Sequence, residues 1–77
     1  MDNLVIFRKN LLYLRKKHGY NQTFIADILH KKSYTTVQKW ECGKAEPPFG
    51  DVILLCRLYN VSVDDMLKVD LEKRDNK

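Results

Sequence analysis

The segment 34–38 begins with residues whose side chains can exchange hydrogen bonds with the edges of nucleic-acid bases. Thr35 and Gln38 are three residues apart, so in a helix they project from neighbouring positions on one face. A glutamine amide can make paired hydrogen bonds to adenine, and a threonine methyl group can contact the methyl group of thymine. Tyr34, beside them, can stack on a base, read a base edge or bond a phosphate. These residue types predict that Tyr34, Thr35 and Gln38 read the bases of double-stranded DNA.

Two short amphipathic helices with a basic turn between them would hold these side chains in place. The pattern predicts the first helix at about 22–29, after Asn21 as its N-cap. It predicts the second at about 34–42, between Ser33 as N-cap and Gly43 as its end. A helix of this kind can lie in a DNA groove while its other side packs on a core. Sequence-specific DNA binding is therefore the leading hypothesis.

The second of these helices carries two apolar residues on one side. Val37 and Trp40 are three residues apart and face one way, which predicts that both turn into the core. That arrangement leaves Thr35 and Gln38 on the outer surface. The alternative for Trp40 is a stacking platform for single-stranded bases, and the face that it shares with Val37 favours the core instead.

Three further helices complete the predicted architecture, at about 3–18, 49–59 and 63–67, and no strand is predicted. Gly19 and Asn60 mark helix ends, and Ser62 caps the last helix. The sequence therefore predicts an all-α domain of five helices over residues 1–67. The charged tail at 68–77 has only two apolar residues, so it is expected to be frayed helix, disorder or a flexible linker.

Apolar residues recur at steps of three and four along all five predicted helices. Besides Val37 and Trp40, the expected core residues are Leu4, Phe7, Leu11, Leu14, Ile25, Ala26, Leu29, Phe49, Val52, Leu55, Cys56, Tyr59, Val61, Val63 and Leu67. A chain of 77 residues buries only about 60% of the surface that its unfolded form exposes, so this core must be compact.

Positive charge is concentrated in the first half of the chain. Residues 1–44 hold nine Lys or Arg and three acidic residues, whereas residues 45–77 hold five basic and seven acidic residues. The formal net charge of +4 is thus +6 in the first part and −2 in the second. A basic half beside an acidic half favours one surface for a polyanion, and the alternative is an ordinary solvated surface.

Several classes of protein are not expected, because their signals are missing. No apolar run reaches the roughly 18 residues of a membrane span, and no signal-peptide pattern is found, so a cytoplasmic protein is expected. An enzyme is not expected, because no phosphate-binding glycine loop and no nucleophile with a nearby base is found. Cys42 and Cys56 lie at no metal-ligand spacing, so no metal ion, cofactor or disulfide is expected. Cys56 is expected to be a small buried residue and Cys42 a helix-end residue.

Three stretches of the chain share a known pattern: LRKKHGYNQ at 14–22, VQKWECGKAEP at 37–47 and LYNVSVDDML at 58–67, and the Trp, Glu and Gly at 40–43 with the following Lys and Pro are the most distinctive part. Together with Ile25, Ala26 and Leu29, they resemble the phage-repressor and Cro-type (XRE-like) helix-turn-helix family. The resemblance implies a lambda-repressor-like bundle of five helices, in which the third helix enters the major groove and the second lies across the backbone. It also implies a homodimer that binds a two-fold symmetric operator and represses or otherwise regulates transcription.

Contacts to the DNA backbone set the register while base contacts give specificity, and the phosphate-binding residues are expected at helix starts and in basic turns. Gln22 matches the family's glutamine at the start of the second helix. The expected phosphate-binding residues are Gln22, Lys31, Lys32, Ser33, Thr36, Lys39 and Lys44. Arg15 and Glu41 also stand at family positions, and they are expected to pair across helices.

The sequence departs from the family pattern at two places. The turn at 30–33 is about one residue longer than the commonest form and lacks its usual glycine, so the resemblance does not fix the tilt of the recognition helix. Cys42 stands where the family often has asparagine, so no side-chain contact is carried over to it.

Two other functions fit the same residues. One is an antitoxin or a restriction-system controller of the same fold, and the other is a protein-interaction module without DNA binding. A homodimer interface is expected from exposed apolar residues, with Val5 and Leu12 on the first helix, or Ile53 and Met66 on the fourth and fifth, as the candidates.

Overall fold

The computed structural model describes residues 4–76, which contain six α-helices and no strand. The helices are α1 (Val5–Lys17), α2 (Gln22–Ile28), α3 (Tyr34–Cys42), α4 (Phe49–Tyr59), α5 (Val63–Lys68) and α6 (Leu71–Asp75). The all-α bundle is confirmed, with one helix more than the sequence predicted, and α2 and α3 pack against each other. No helix within residues 4–76 is long and apolar enough to cross a bilayer.

The helix ends lie where short polar residues or glycine were expected to place them. The side chains of Asn21 and Ser62 accept hydrogen bonds from main-chain N–H groups three residues later, at 2.7 and 2.9 Å. Gly43 and Asn60 end α3 and α4 in the left-handed conformation, with φ of 85° and 56°. Glycine and asparagine adopt this conformation more readily than other residues. The helix start predicted at residue 3 lies outside the described residues.

One hydrophobic core joins the helices. Its buried residues are Phe7, Leu11, Leu14, Ile25, Ala26, Leu29, Val37, Trp40, Val52, Leu55, Cys56, Tyr59, Met66 and Leu71. Leu4, Val61, Val63 and Leu67 are partly buried against it. Two expectations were wrong. Phe49 is 66% exposed and outside the core, whereas Met66, an expected interface residue, is completely buried.

Phe49 lies outside the core because of its place at the first position of α4. Side chains on a helix tilt toward its N-terminus, so a side chain at the first residue points past the end of the element. The spacing of apolar residues predicted Phe49 on the inner face of α4. Spacing alone does not show whether a neighbouring helix extends far enough to cover that residue.

The tail folds back on α1, where the sequence predicted frayed helix or disorder. Leu71 is completely buried, and so is Asn10 on the inner side of α1. The Asn10 amide nitrogen donates to the carbonyl oxygens of Met66 and Val69, at 2.8 and 2.7 Å. Its carbonyl oxygen accepts from the Leu71 N–H at 3.1 Å. This one side chain therefore links α1 to the end of α5 and the start of α6.

Ionic contacts on the surface add to this docking of α6. Lys17 lies 3.0 Å from Asp75, and the Tyr13 hydroxyl donates to the same carboxylate at 2.7 Å. The hydrogen bond from Tyr13, and after it the one from Lys17, lower the pKa of Asp75 to about 2. Because folding lowers the pKa of this carboxyl, its ionised form stabilises the fold at pH values above the ordinary carboxyl pKa. That stabilisation is lost as the pH falls toward 2. The contacts are exposed to solvent, so each contributes little.

Candidate nucleic-acid interface

The inner side of α3 is fixed by the core. Val37 and Trp40 are each 3% exposed, which confirms the inward orientation expected from their spacing. At the end of the helix, a Cβ atom on Gly43 would lie only 2.9 Å from Nε of Arg8. Glycine suits this position because of its positive φ, whereas the nearby Arg8 atoms belong to a flexible side chain that can move aside.

The outer side of α3 is exposed at its first turns. Tyr34, Thr35 and Gln38 are all exposed there. Thr35 Oγ1 lies 3.0 Å from Ser33 Oγ, so the threonine hydroxyl is engaged and its methyl group is left for other contacts. Within residues 4–76 the Gln38 side chain forms no hydrogen bond, so its amide is available to a ligand. The structure brings the three expected base-reading residues together on one surface.

The residues expected to bind phosphate surround this surface with different degrees of exposure. Lys32 in the turn, Lys39 on α3 and Lys44 just after it are exposed. Ser33 is also exposed, and its hydroxyl caps α3 by accepting a hydrogen bond from the Thr35 N–H at 3.2 Å. Thr36, Gln22 and Lys31 are half-buried.

Gln22 belongs to a hydrogen-bonded cluster with Arg15 and Glu41. Arg15 donates from Nε and Nη2 to the two carboxylate oxygens of Glu41, at 2.7 and 3.0 Å. The expected pair is therefore confirmed, and its hydrogen bond raises the pKa of Arg15. Gln22 Nε2 donates to the same carboxylate at 3.0 Å. Sequence reasoning missed this third contact, because the three residues lie on three different helices.

Lys31, which the sequence assigned to phosphate, is half-buried and forms an ion pair within the protein. Its ammonium nitrogen lies 2.8 Å from Oδ2 of Asp51, in the first turn of α4. It also lies 6.0 Å from the ring centroid of Trp40, within the range of a cation–π contact. An acidic residue in the first turn of a helix is common on dipole grounds alone, so the sequence carried no signal for this pair.

The turn between α2 and α3 contains a residue in the left-handed region that is not glycine. His30 has a φ of 60°, which is the conformation that the family's usual glycine would adopt without strain. A histidine therefore takes the left-handed conformation in this turn.

Replacing His30 by glycine is expected to raise the free energy of unfolding by about 1 kcal/mol, because a left-handed conformation costs an L-residue about 1–2 kcal/mol and glycine loses more chain entropy on folding. Urea denaturation followed by circular dichroism measures the change. Asn60→Gly is the matched control, because Asn60 has nearly the same φ and asparagine tolerates it better. A gain no larger than that of the control would show that His30 is not strained.

The two cysteines differ in accessibility, in the way that the sequence predicted. Cys42 is exposed at the end of α3, where its thiol lies 3.6 Å from the Lys39 carbonyl oxygen. Cys56 is buried in the core, and burial raises the pKa of its thiol.

Comparison with known families matches residues 11–66 to the helix-turn-helix family of the XRE/Cro type. Searches among curated proteins and among solved structures gave no significant match. The matched segment runs from α1 into α5, and it includes α2, α3 and the turn between them. It indicates DNA binding and no catalytic family. Because the match covers well over half of the chain, this protein belongs to the helix-turn-helix family of DNA-binding domains.

Proposed function

We propose that this domain is a sequence-specific regulator of transcription, and more narrowly a repressor, that reads the major groove of double-stranded DNA with α3. The observation that carries the proposal is the division of α3 into a buried side, with Val37 and Trp40, and an exposed side. On the exposed side, Tyr34, Thr35 and Gln38 lie near the helix start, where recognition helices meet base edges. The Gln38 amide suits adenine, and the Thr35 methyl group suits thymine.

Contacts to phosphate would come from the residues around the same surface. The proposed phosphate-binding residues are Gln22, Lys32, Ser33, Thr36, Lys39 and Lys44. The three lysines lie before, on and after α3 and are exposed, so they can reach the backbone on either side of the groove. Gln22 retains one amide N–H for a phosphate oxygen, because Glu41 accepts the other.

The proposal includes a homodimer on a two-fold symmetric operator, which is the common arrangement in this family. Exposed apolar side chains could supply the interface, with Val5 and Leu12 on α1 and Leu54 on α4 as candidates. Ile53 is only half-buried, and it remains a candidate on α4. Light scattering over a concentration series measures whether the isolated domain pairs.

Selection of bound DNA from a random duplex library tests the proposal as a whole. A consensus with two inverted half-sites, bound more weakly as salt rises, is the expected result, because phosphate contacts release counterions. Absent or salt-independent binding would favour a protein-interaction module without DNA binding. An antitoxin or a restriction-system controller would bind DNA in the same way, and would be recognised by the genes beside its operator.

The substitution Gln38→Ala is expected to relax base preference at one position of each half-site, at a cost of about 1–3 kcal/mol in binding. Lys32→Ala is expected to weaken all sequences equally and to reduce the salt slope by about 1. Titrations of the selected operator and its single-base variants at several salt concentrations distinguish the two results.

Lys73→Ala serves as the matched control for Lys32→Ala, because it removes the same charge from an exposed position on α6, outside the proposed surface. It should leave both affinity and base preference nearly unchanged. If Gln38→Ala and Lys32→Ala caused the same uniform loss, the division into base-reading and phosphate-binding residues would be wrong.

A further inference from the structure

Lys31 connects three elements of the proposed DNA-reading unit. Its main-chain N–H donates to the Ala26 carbonyl oxygen at 2.8 Å, which closes the end of α2. Its ammonium nitrogen lies 2.8 Å from Asp51 at the start of α4 and 6.0 Å from the ring centroid of Trp40 on α3. One residue of the turn is thus in contact with the helices before and after it and with the core.

The Asp51 carboxylate has few other groups near it that could replace the Lys31 ammonium. The residue is only 8% exposed, and within residues 4–76 its buried Oδ2 atom has no partner besides the Lys31 ammonium. A buried carboxylate is costly unless an opposite charge lies against it. Moving the Lys31 ammonium to a DNA phosphate would leave the buried Asp51 carboxylate without its counter-charge. Lys32, the next residue, is exposed and forms no ion pair within the described residues, so it can bind phosphate at no such cost.

The turn is also where the orientation of α3 is decided. Within it His30, which is not a glycine, adopts a left-handed conformation. A charged contact from the turn to Asp51, together with the contact to Trp40, ties the turn to α4 and to α3.

We propose that Lys31 is a positioning residue, which orients α3 for base reading through its ion pair with Asp51 and does not bind phosphate. The inference rests on the proposed function, because it assumes that α3 reads DNA. It assigns to Asp51, on α4, a part in sequence specificity although its carboxylate points to the turn and not to the DNA surface.

The test compares Lys31→Met, Asp51→Asn and the double variant in titrations of the selected operator and of an unrelated duplex at several salt concentrations. Each of the three is expected to lower the ratio of operator binding to unrelated-duplex binding by about tenfold, the effect of losing about one good base contact. The salt slope on the unrelated duplex should not change. The double variant should be no worse than either single one, because both remove the same contact.

Lys32→Met is the matched control, and it is expected to weaken both duplexes and to reduce the salt slope by about 1. The proposal is overturned if Lys31→Met behaves like Lys32→Met while Asp51→Asn binds both duplexes more tightly. That pattern would mean that Lys31 binds phosphate and that Asp51 merely repels it.

The double variant and one further variant, an exchanged pair, keep the test decisive if Lys31→Met does not fold. The double variant leaves neither partner charged and unpaired. An unchanged salt slope on the unrelated duplex would support positioning, and a slope reduced by about 1 would mean that Lys31 binds phosphate. The exchanged pair, Lys31→Asp with Asp51→Lys, should restore part of the operator preference if positioning is the role, and should lose affinity for both duplexes if phosphate binding is. Failure of the proposed function is separate, because the unaltered protein would then show no salt-dependent binding to any duplex.

Discussion

Asn10→Ala is expected to lower the free energy of unfolding by about 3 kcal/mol or more. The substitution removes a completely buried amide that serves two main-chain carbonyl groups and one main-chain N–H. Each buried polar group left without a partner costs about 1–3 kcal/mol. A domain of this size has a total stability of about 5–15 kcal/mol, so the loss is a large fraction of it.

Urea denaturation followed by circular dichroism measures this effect, with Asn76→Ala as the matched control. Asn76 is exposed and follows α6, so its removal should change stability by less than about 0.5 kcal/mol. Hydrogen exchange should also show faster exchange in α6 of the Asn10 variant, because the Leu71 N–H loses its acceptor. A loss close to that of the control would show that other contacts hold α6 in place.

Arg15→Met is expected to lower the free energy of unfolding by about 3–5 kcal/mol, the usual cost of removing one partner of a buried ion pair. The Glu41 side chain is only 8% exposed, and it would lose its charged partner and have Gln22 as its remaining side-chain donor. The same urea titration measures the change. Gln22 should also become less ordered, because its acceptor would be drawn toward water.

The double variant Arg15→Met with Glu41→Gln provides the critical comparison. It leaves no unpaired charge, so it should recover most of the stability that Arg15→Met loses. Arg57→Met, on the exposed side of α4, controls for removal of an arginine and should change stability by less than about 0.5 kcal/mol. A small effect of Arg15→Met alone would mean that the pair behaves like an exposed one.

Local signals in the sequence were sufficient for the helices and for the two sides of α3. Caps such as Asn21 and Ser62 and a helix end such as Gly43 depend on residues only a few positions away, so their types could be recognised directly. The orientation of Trp40 followed in the same way from its spacing to Val37. Resemblance to a family then added the pairing of Arg15 with Glu41.

What the sequence did not show depends on residues that are distant in the chain. Asn10 looks like a surface residue until its partners, 56 to 61 residues away, are known. Without them α6 has too few apolar residues to be predicted as a docked helix. The ion pair of Lys31 with Asp51 is hidden for the same reason, since each residue alone fits a solvent-exposed position. Phe49 and Met66 were assigned wrongly because periodicity gives a face but not its neighbours.

The unequal exposure of the two cysteines makes the domain suited to spectroscopy without prior mutagenesis. The thiolate is the reactive form of cysteine. Cys56 is buried, and burial raises the pKa of its thiol, so less of it is present as thiolate. A maleimide dye should therefore attach to Cys42 alone. The fluorophore would then stand at the last residue of α3, where its anisotropy and quenching can report docking of a duplex in real time.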